Sequence, residues 1–94
     1  MAKLTWSPRS LSDLELIYEY IKLDSEENAS YFIKQLITST IDITEFPFSG
    51  RMVAEFKENR IREKIYKNYR IIYRISTDEV EVVTVLHQSR RLTK

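Results

Sequence analysis

The chain has 94 residues, of which 43% are hydrophobic and 31% charged, and 15 Lys and Arg against 14 Asp and Glu leave a formal net charge of +1. This composition fits one soluble globular domain spanning residues 1–94, too short for a second core and too apolar for disorder. With no cysteine and one histidine, disulfides, thiolate catalysis and cysteine-ligated metals are excluded, and neither a metal site nor a cofactor is expected.

Residues 2–6 alternate, with Leu4 and Trp6 on one side, and read as a short first strand. Ser7-Pro8 is a helix start, a capping hydroxyl followed by proline at the first helical position. Leu11, Leu14, Tyr18 and Ile21 then recur at helical spacing, with Ile17 alongside. Ser25 is a second N-cap, and Glu26-Glu27 suit the positive end of the helix dipole. An apolar stripe through Ala29, Phe32, Ile33, Leu36, Thr40 and Ile43 carries that helix to Phe46-Pro47, where proline ends it. Two helices so closely joined predict an antiparallel helical hairpin. A connection from Phe48 to Asn59 holds the one glycine, Gly50. Three strands follow, about 60–66, 69–76 and 80–87, joined by two-residue turns at Lys67-Asn68, with Asn in left-handed geometry, and at Asp78-Glu79. The expected fold is therefore α+β, β-α-α-β-β-β, with the helical hairpin packed on one face of a small, largely antiparallel sheet. No apolar run approaches the roughly 20 residues of a membrane span, and Met1–Trp6 lacks a signal region, so no membrane partner is expected and the cytoplasm is the expected compartment.

Charge is unevenly placed. Residues 10–46 hold eight acids against Lys22 and Lys34, a balance of −6, whereas 51–74 hold eight Lys and Arg against three Glu, a balance of +5. Such a local field steers a polyanion more than total charge does. If both turns hold two residues, Arg70 opposes His87 across the last two strands, and Glu63, Arg70, Arg74 and His87 share one face. Tyr69, Ile71, Tyr73, Ile75, Val82 and Leu86 would then form the face that receives the helices. A three-residue second turn would shift the register by one and separate Arg70 from His87. Arginine binds phosphate through a planar fork, and histidine moves protons near neutrality. Together they suit cleavage of RNA through attack of a 2′-hydroxyl on its neighbouring phosphate. Glu55, after the Gly50 turn, is a candidate base facing the same cleft. Arg90, Arg91 and Lys94 add a basic tail.

The series Trp6-Ser7-Pro8, Asp13-Leu14, Tyr20-Ile21, Pro47-Phe48-Ser49-Gly50-Arg51, Ile61-Arg62-Glu63, Tyr69-Arg70-Ile71-Ile72-Tyr73 and Val85-Leu86-His87 resembles the RelE/ParE toxin superfamily in order and over nearly the whole length. The resemblance implies a growth-arrest toxin of a plasmid-stabilisation type II toxin–antitoxin system, neutralised by a cognate antitoxin. In the RelE-like branch such toxins enter the ribosome and cut mRNA as metal-independent endoribonucleases (mRNA interferases). Arg70 matches the arginine that contacts the scissile phosphate there. His87 matches a histidine of YoeB-like members, and Glu55 their glutamate. Arg51, Arg62, Arg74 and Arg90 are the candidates for holding RNA. The ParE-like branch inhibits DNA gyrase without cutting nucleic acid, and a degenerate toxin would only bind its antitoxin. The ribosome-dependent mRNA endonuclease is the reading favoured on sequence, although no tyrosine follows Tyr73 and the closing Leu86-His87-Gln88-Ser89-Arg90 reads as ParE-like.

Overall fold

A computed structural model describes residues 2–90. The elements run β1 (Lys3–Trp6), α1 (Pro8–Lys22), α2 (Glu26–Thr38), α3 (Ile41–Glu45), a 3-10 turn (Pro47–Ser49), β2 (Arg51–Met52), β3 (Ile61–Tyr66), β4 (Tyr69–Ile75) and β5 (Glu79–His87). The sheet order is β1-β5-β4-β3-β2, with β1 parallel to β5 and the other neighbours antiparallel. Ser7 caps α1 by accepting the Ser10 N–H at 3.0 Å, and Ser25 caps α2 by accepting the Asn28 N–H at 3.2 Å. Both caps stand where the sequence places them.

The second helix is shorter than expected. Thr38, Ser39 and Thr40 turn their hydroxyls back onto the carbonyls of Lys34, Leu36 and Ile37, at 2.9, 2.6 and 2.6 Å. Such bonds compete with the main-chain ladder and bend or break a helix, so the apolar stripe resumes as the separate α3. Residues 51–52, expected inside a connection, add a short edge strand beside β3.

The helices cover one face of the sheet. Leu14 and Ile17 of α1 and Leu36 of α2 pack on Ile71, Val82 and Val85, and Ile43 of α3 extends this layer over Tyr73, Ile75 and Val80. Burying each large aliphatic side chain is worth about 1.5–3 kcal/mol, so this layer dominates stability. On the opposite face Val53 folds back onto Ile72 and Leu86, with Phe56 and Ile61 at the margin. Lys57, at φ 52°, ends that tight turn, and Lys67, at φ 54°, is the left-handed residue of the β3–β4 turn in place of Asn68. No described helix is long and apolar enough to cross a membrane.

The β3–β4 register is the expected one, with Ile65 opposite Arg70 and Glu63 opposite Ile72. The β4–β5 register is not. The turn residues are Thr77 and Asp78, since Ser76 N–H donates to the Glu79 carbonyl at 2.8 Å and Ile75 pairs with Val80. A bulge at Val83 then adds one residue to β5, so that Tyr73 faces Val82 while Ile72 faces Thr84. The bulge is held from the start of α1. Ser7 Oγ donates to the Val83 carbonyl at 2.7 Å, and Asp13 Oδ2 accepts from Thr84 Oγ1 at 2.5 Å and from the Val85 N–H at 2.9 Å. Arg70 therefore faces Leu86, and His87 faces Tyr69.

Candidate functional site

The open face of the sheet carries a cleft of about 700 Å³ lined by Arg51, Met52, Ala54, Glu63, Arg70, Gln88, Ser89 and Arg90. Its floor is a linked set of charges. Arg70, 7% exposed, donates from Nε to Glu63 Oε1 at 2.6 Å. Its two terminal nitrogens clasp Glu55, Nη1 to Oε2 at 2.8 Å and Nη2 to Oε1 at 2.9 Å. Nη1 also donates to the Arg90 carbonyl at 3.1 Å. Four of the five guanidinium N–H groups are thus engaged within the protein. Glu63, 4% exposed, offers its second oxygen to Arg51 Nε at 2.7 Å. The Glu55 bond, offset in part by burial and reinforced by Glu63, pushes the Arg70 pKa up, and the guanidinium stays charged throughout the working range.

The tight turn after β2 explains why Glu55 arrives here. Phe56 and Lys57 N–H both donate to the Val53 carbonyl, at 3.1 and 2.9 Å, which curls residues 53–57 over the sheet and lays Glu55 against Arg70. A second arginine fixes the start of the same connection. Arg62 donates to the Asn59 carbonyl at 2.9 Å, to Asn59 Oδ1 at 2.6 Å, to the Gly50 carbonyl at 2.9 Å and to the Phe48 carbonyl at 3.2 Å, and its guanidinium lies 5.2 Å from the Phe48 ring centroid. From below, Tyr73 donates to the Pro47 carbonyl at 2.6 Å and accepts the Gly50 N–H at 3.1 Å. A Cβ on Gly50 would stand 2.3 Å from the Tyr73 hydroxyl oxygen and 2.8 Å from the Glu63 carbonyl oxygen, so this close approach requires glycine.

Of the expected site residues, the structure gathers Arg70, Arg51 and Arg90 in the lining of one cleft and binds Glu55 to Arg70 beside it. His87 is elsewhere. The altered register and the bulge put it on the helix-covered side, with its ring 5.5 Å from Tyr69 at 81° and in a groove shared with Arg9, Leu16 and Tyr20 of α1. The Arg70–His87 pairing expected from strand register is therefore corrected: the two occupy opposite faces. Arg62 holds a connection, and Arg74 pairs with Glu81 at 2.8 Å away from the cleft lining. Arg91 and Lys94 lie outside the described residues. Glu63, the hub between Arg51 and Arg70, is absent from the expected site, although its strand alternation already places it on the face of Arg70. Asn59 carried no sequence signal.

A helical layer on one face of a five-stranded sheet, with a charged cleft on the other, defines the RelE/ParE toxin fold. The chain belongs to the ParE toxin family of type II toxin–antitoxin systems (parDE), whose profile matches residues 4–92. It is 28% identical over 90 residues to Toxin RelE2 of Caulobacter vibrioides, covering 96% of this chain and 99% of that one. Among solved structures it resembles the chromosomal ParDE toxin–antitoxin system of P. aeruginosa, with a TM-score of 0.78 at 17% identity over 93% of this chain and 96% of that one. The YoeB–YefM complex of Staphylococcus aureus is more distant, with a TM-score of 0.54 at 14% identity over 93% and 97%. At these identities both structures speak to the shared fold.

Proposed function

We propose that this type II toxin arrests growth by binding a protein target, for which the ParE resemblance names DNA gyrase, and that it does not cleave RNA. The observation that carries this reading is the engagement of Arg70. Cleavage through a 2′-hydroxyl needs N–H donors aimed at the phosphate and a proton carrier on the same side of the site. Arg70 has four N–H groups committed to Glu55, Glu63 and the Arg90 carbonyl. A phosphate taking the place of Glu55 would have to displace a carboxylate, with a side chain only 10% exposed, from its two-point bond to Arg70. His87, the one histidine, stands across the sheet. The partner assigned to the chain is a cognate antitoxin, as in the ParDE and YoeB–YefM assemblies, and the site of action is the cytoplasm.

The test is brief expression from a tight promoter, with mRNA 5′ ends mapped and the DNA-damage response read in the same cells. Intact mRNA with a strong damage response is the expected outcome. New in-frame cuts within translated codons would overturn the reading and return Arg70, Glu55 and His87, with Arg51, Arg62, Arg74 and Arg90, to the ribosome-dependent endonuclease. Absence of growth arrest would leave a module that only binds its antitoxin.

A further inference from the structure

Arg70 and His87 lie on opposite faces of the sheet, yet each bonds to the same short segment. From the open face, Arg70 Nη1 donates to the Arg90 carbonyl at 3.1 Å. From the helix face, His87 Nδ1 accepts the Ser89 N–H at 3.2 Å and stands 2.9 Å from Ser89 Oγ. Accepting a main-chain N–H at Nδ1 requires the neutral ring with its proton on Nε2. Residues 88–90 have left the β-ladder. Their main-chain ties are Gln88 N–H to the Asn68 carbonyl at 2.7 Å and Arg90 N–H to the His87 carbonyl at 2.9 Å, both close to the point where the segment leaves β5. The two side chains therefore add a tie from each face to a segment that those main-chain bonds also hold.

The ion network makes sense in this role. A buried Arg–Glu cluster contributes little net stability over well-packed apolar residues of the same volume. What it supplies is orientation. The two-point clasp on Glu55 and the bond to Glu63 fix the guanidinium plane, so the remaining Nη1 hydrogen points in one direction, at the Arg90 carbonyl. Glu55 belongs to the turn after β2, so Arg70 sets the spacing between Arg51–Ala54 on one side of the cleft and Gln88–Arg90 on the other. The side chains of Gln88, Ser89 and Arg90 are exposed along that wall.

We propose that Arg70 and His87 are positioning residues, which hold Gln88–Arg90 as a preformed recognition wall for the protein target of the toxin. This rests on the protein-binding reading above. A wall ordered in advance spares the complex the loss of chain entropy on association, so loosening it weakens target binding without touching the contact residues.

His87 is the informative place to test this, because it is exposed and its replacement leaves the core intact. His87→Ala removes the acceptor. His87→Asn restores it, since an Asn side-chain oxygen accepts the N–H two residues on, as in an Asx turn, but has no imidazole to move protons. Two readouts are taken on the full chain: amide exchange at Ser89 and Arg90, and the amount of toxin needed for half-maximal growth arrest. With His87→Ala, Ser89 exchange is expected to rise about tenfold and the toxin requirement by a similar factor, and His87→Asn should restore both. Arg70→Lys keeps the charge between Glu55 and Glu63 but lacks the fork that reaches Arg90, and should show the same two losses. The proposal is overturned if Asn and Ala lose arrest equally while Ser89 is protected in the Asn variant, because the ring itself would then be needed. It is also overturned if His87→Ala or Arg70→Lys arrests growth at wild-type potency although its amides exchange freely. Mapping mRNA ends in the same cells separates the two levels. In-frame cuts by the wild-type chain would end the protein-target reading, while the Asn–Ala comparison would still decide whether His87 positions or reacts.

Discussion

On the helix-covered face of the sheet, Ile71, Tyr73, Ile75, Val80, Val82 and Val85 meet an equally apolar layer from the helices, whereas on the open face Val53, Ile72 and Leu86 share the surface with Glu63 and Arg70. The first face is held by area and shape, which no single residue controls. The second is held by directed bonds among Arg51, Glu63, Arg70 and Glu55, each of which leaves a buried partner behind when it is removed. Packing tolerates similar substitutes, and a buried charge network does not tolerate a missing member.

The sharpest way to break this comparison is Glu63→Ala. It leaves Arg70 with half its counter-charge and Arg51 with none, and removing one partner from a buried pair costs about 3–5 kcal/mol. Urea unfolding should show that loss with an unchanged slope. The triple replacement Arg70→Met, Glu55→Leu, Glu63→Leu should keep wild-type stability or exceed it, because the buried charges of the network leave together and Arg51, which loses Glu63, has a side chain 66% exposed to water. A Glu63→Ala protein as stable as the wild type would mean that the network does not organise this face. On the helix side, Leu36, fully buried against α1 and the sheet, supplies the counterpart. Leu36→Ala should cost about 3 kcal/mol in the same measurement, through lost transfer energy and a cavity, whereas Leu36→Met should stay within about 1.5 kcal/mol.

The same contrast explains what the sequence made legible. The helix face follows from periodicity alone: apolar spacing in α1 and α2, alternation in β4, and two serine caps locate the layer and the sheet beneath it. The open face depends on features without a period. Glu55 meets Arg70 because residues 53–57 curl into one tight turn, and such a turn has no hydrophobic alternation to announce it. The β4–β5 register was lost for a similar reason. Its bulge is held by Ser7 and Asp13, which lie more than 70 positions from Val83 and Val85, and local propensity cannot see a bond across that separation. Both residues were visible in the sequence, Ser7 as a cap and Asp13 as part of the resemblance. Neither showed that it would hold a strand. Thr38, Ser39 and Thr40 did carry a local warning of a break in the second helix, because short hydroxyl side chains bond back to the preceding turn.

Tyr73 is where the two faces are joined, since its ring lies in the helix-side core and its hydroxyl holds Pro47 and Gly50. Tyr73→Phe should cost about 1–2 kcal/mol by leaving the Gly50 N–H and the Pro47 carbonyl without their partner. The pH dependence sharpens this. Burial pushes the Tyr73 phenol above its ordinary 10.0, against an opposing pull from the Gly50 bond, and burial with the nearby Tyr20 raises Tyr69 as well. A raised pKa means that the unfolded chain ionises first. The stabilisation is full below pH 10.0 and falls as pH rises from there through the folded-state values. Urea midpoints taken across the alkaline range should fall for the wild type and fall less steeply for Tyr73→Phe, with Tyr69 supplying the remainder. A Tyr73→Phe protein with an unchanged alkaline limb would remove Tyr73 as a source of the effect.

Arg74 is expected to give the smallest effect and separates the two roles of a charged sheet face. It shares the face of Arg70 but lies outside the cleft lining, paired with Glu81 at 2.8 Å, with 58% of its side chain exposed against 28% for Glu81. An ion pair so open to water contributes about 0–0.5 kcal/mol, and Arg74→Ala should unfold at nearly the wild-type urea concentration. Its effect on function discriminates further. If this face held RNA, losing one phosphate contact would weaken binding at every sequence and lower the salt slope of binding by about 1. If the toxin instead presents Gln88–Arg90 to a protein, Arg74 is a bystander, and Arg74→Ala should arrest growth at wild-type potency. A potency loss in a protein of unchanged stability would move the functional surface from the C-terminal wall onto the exposed strands, because no change in folding would remain to account for it.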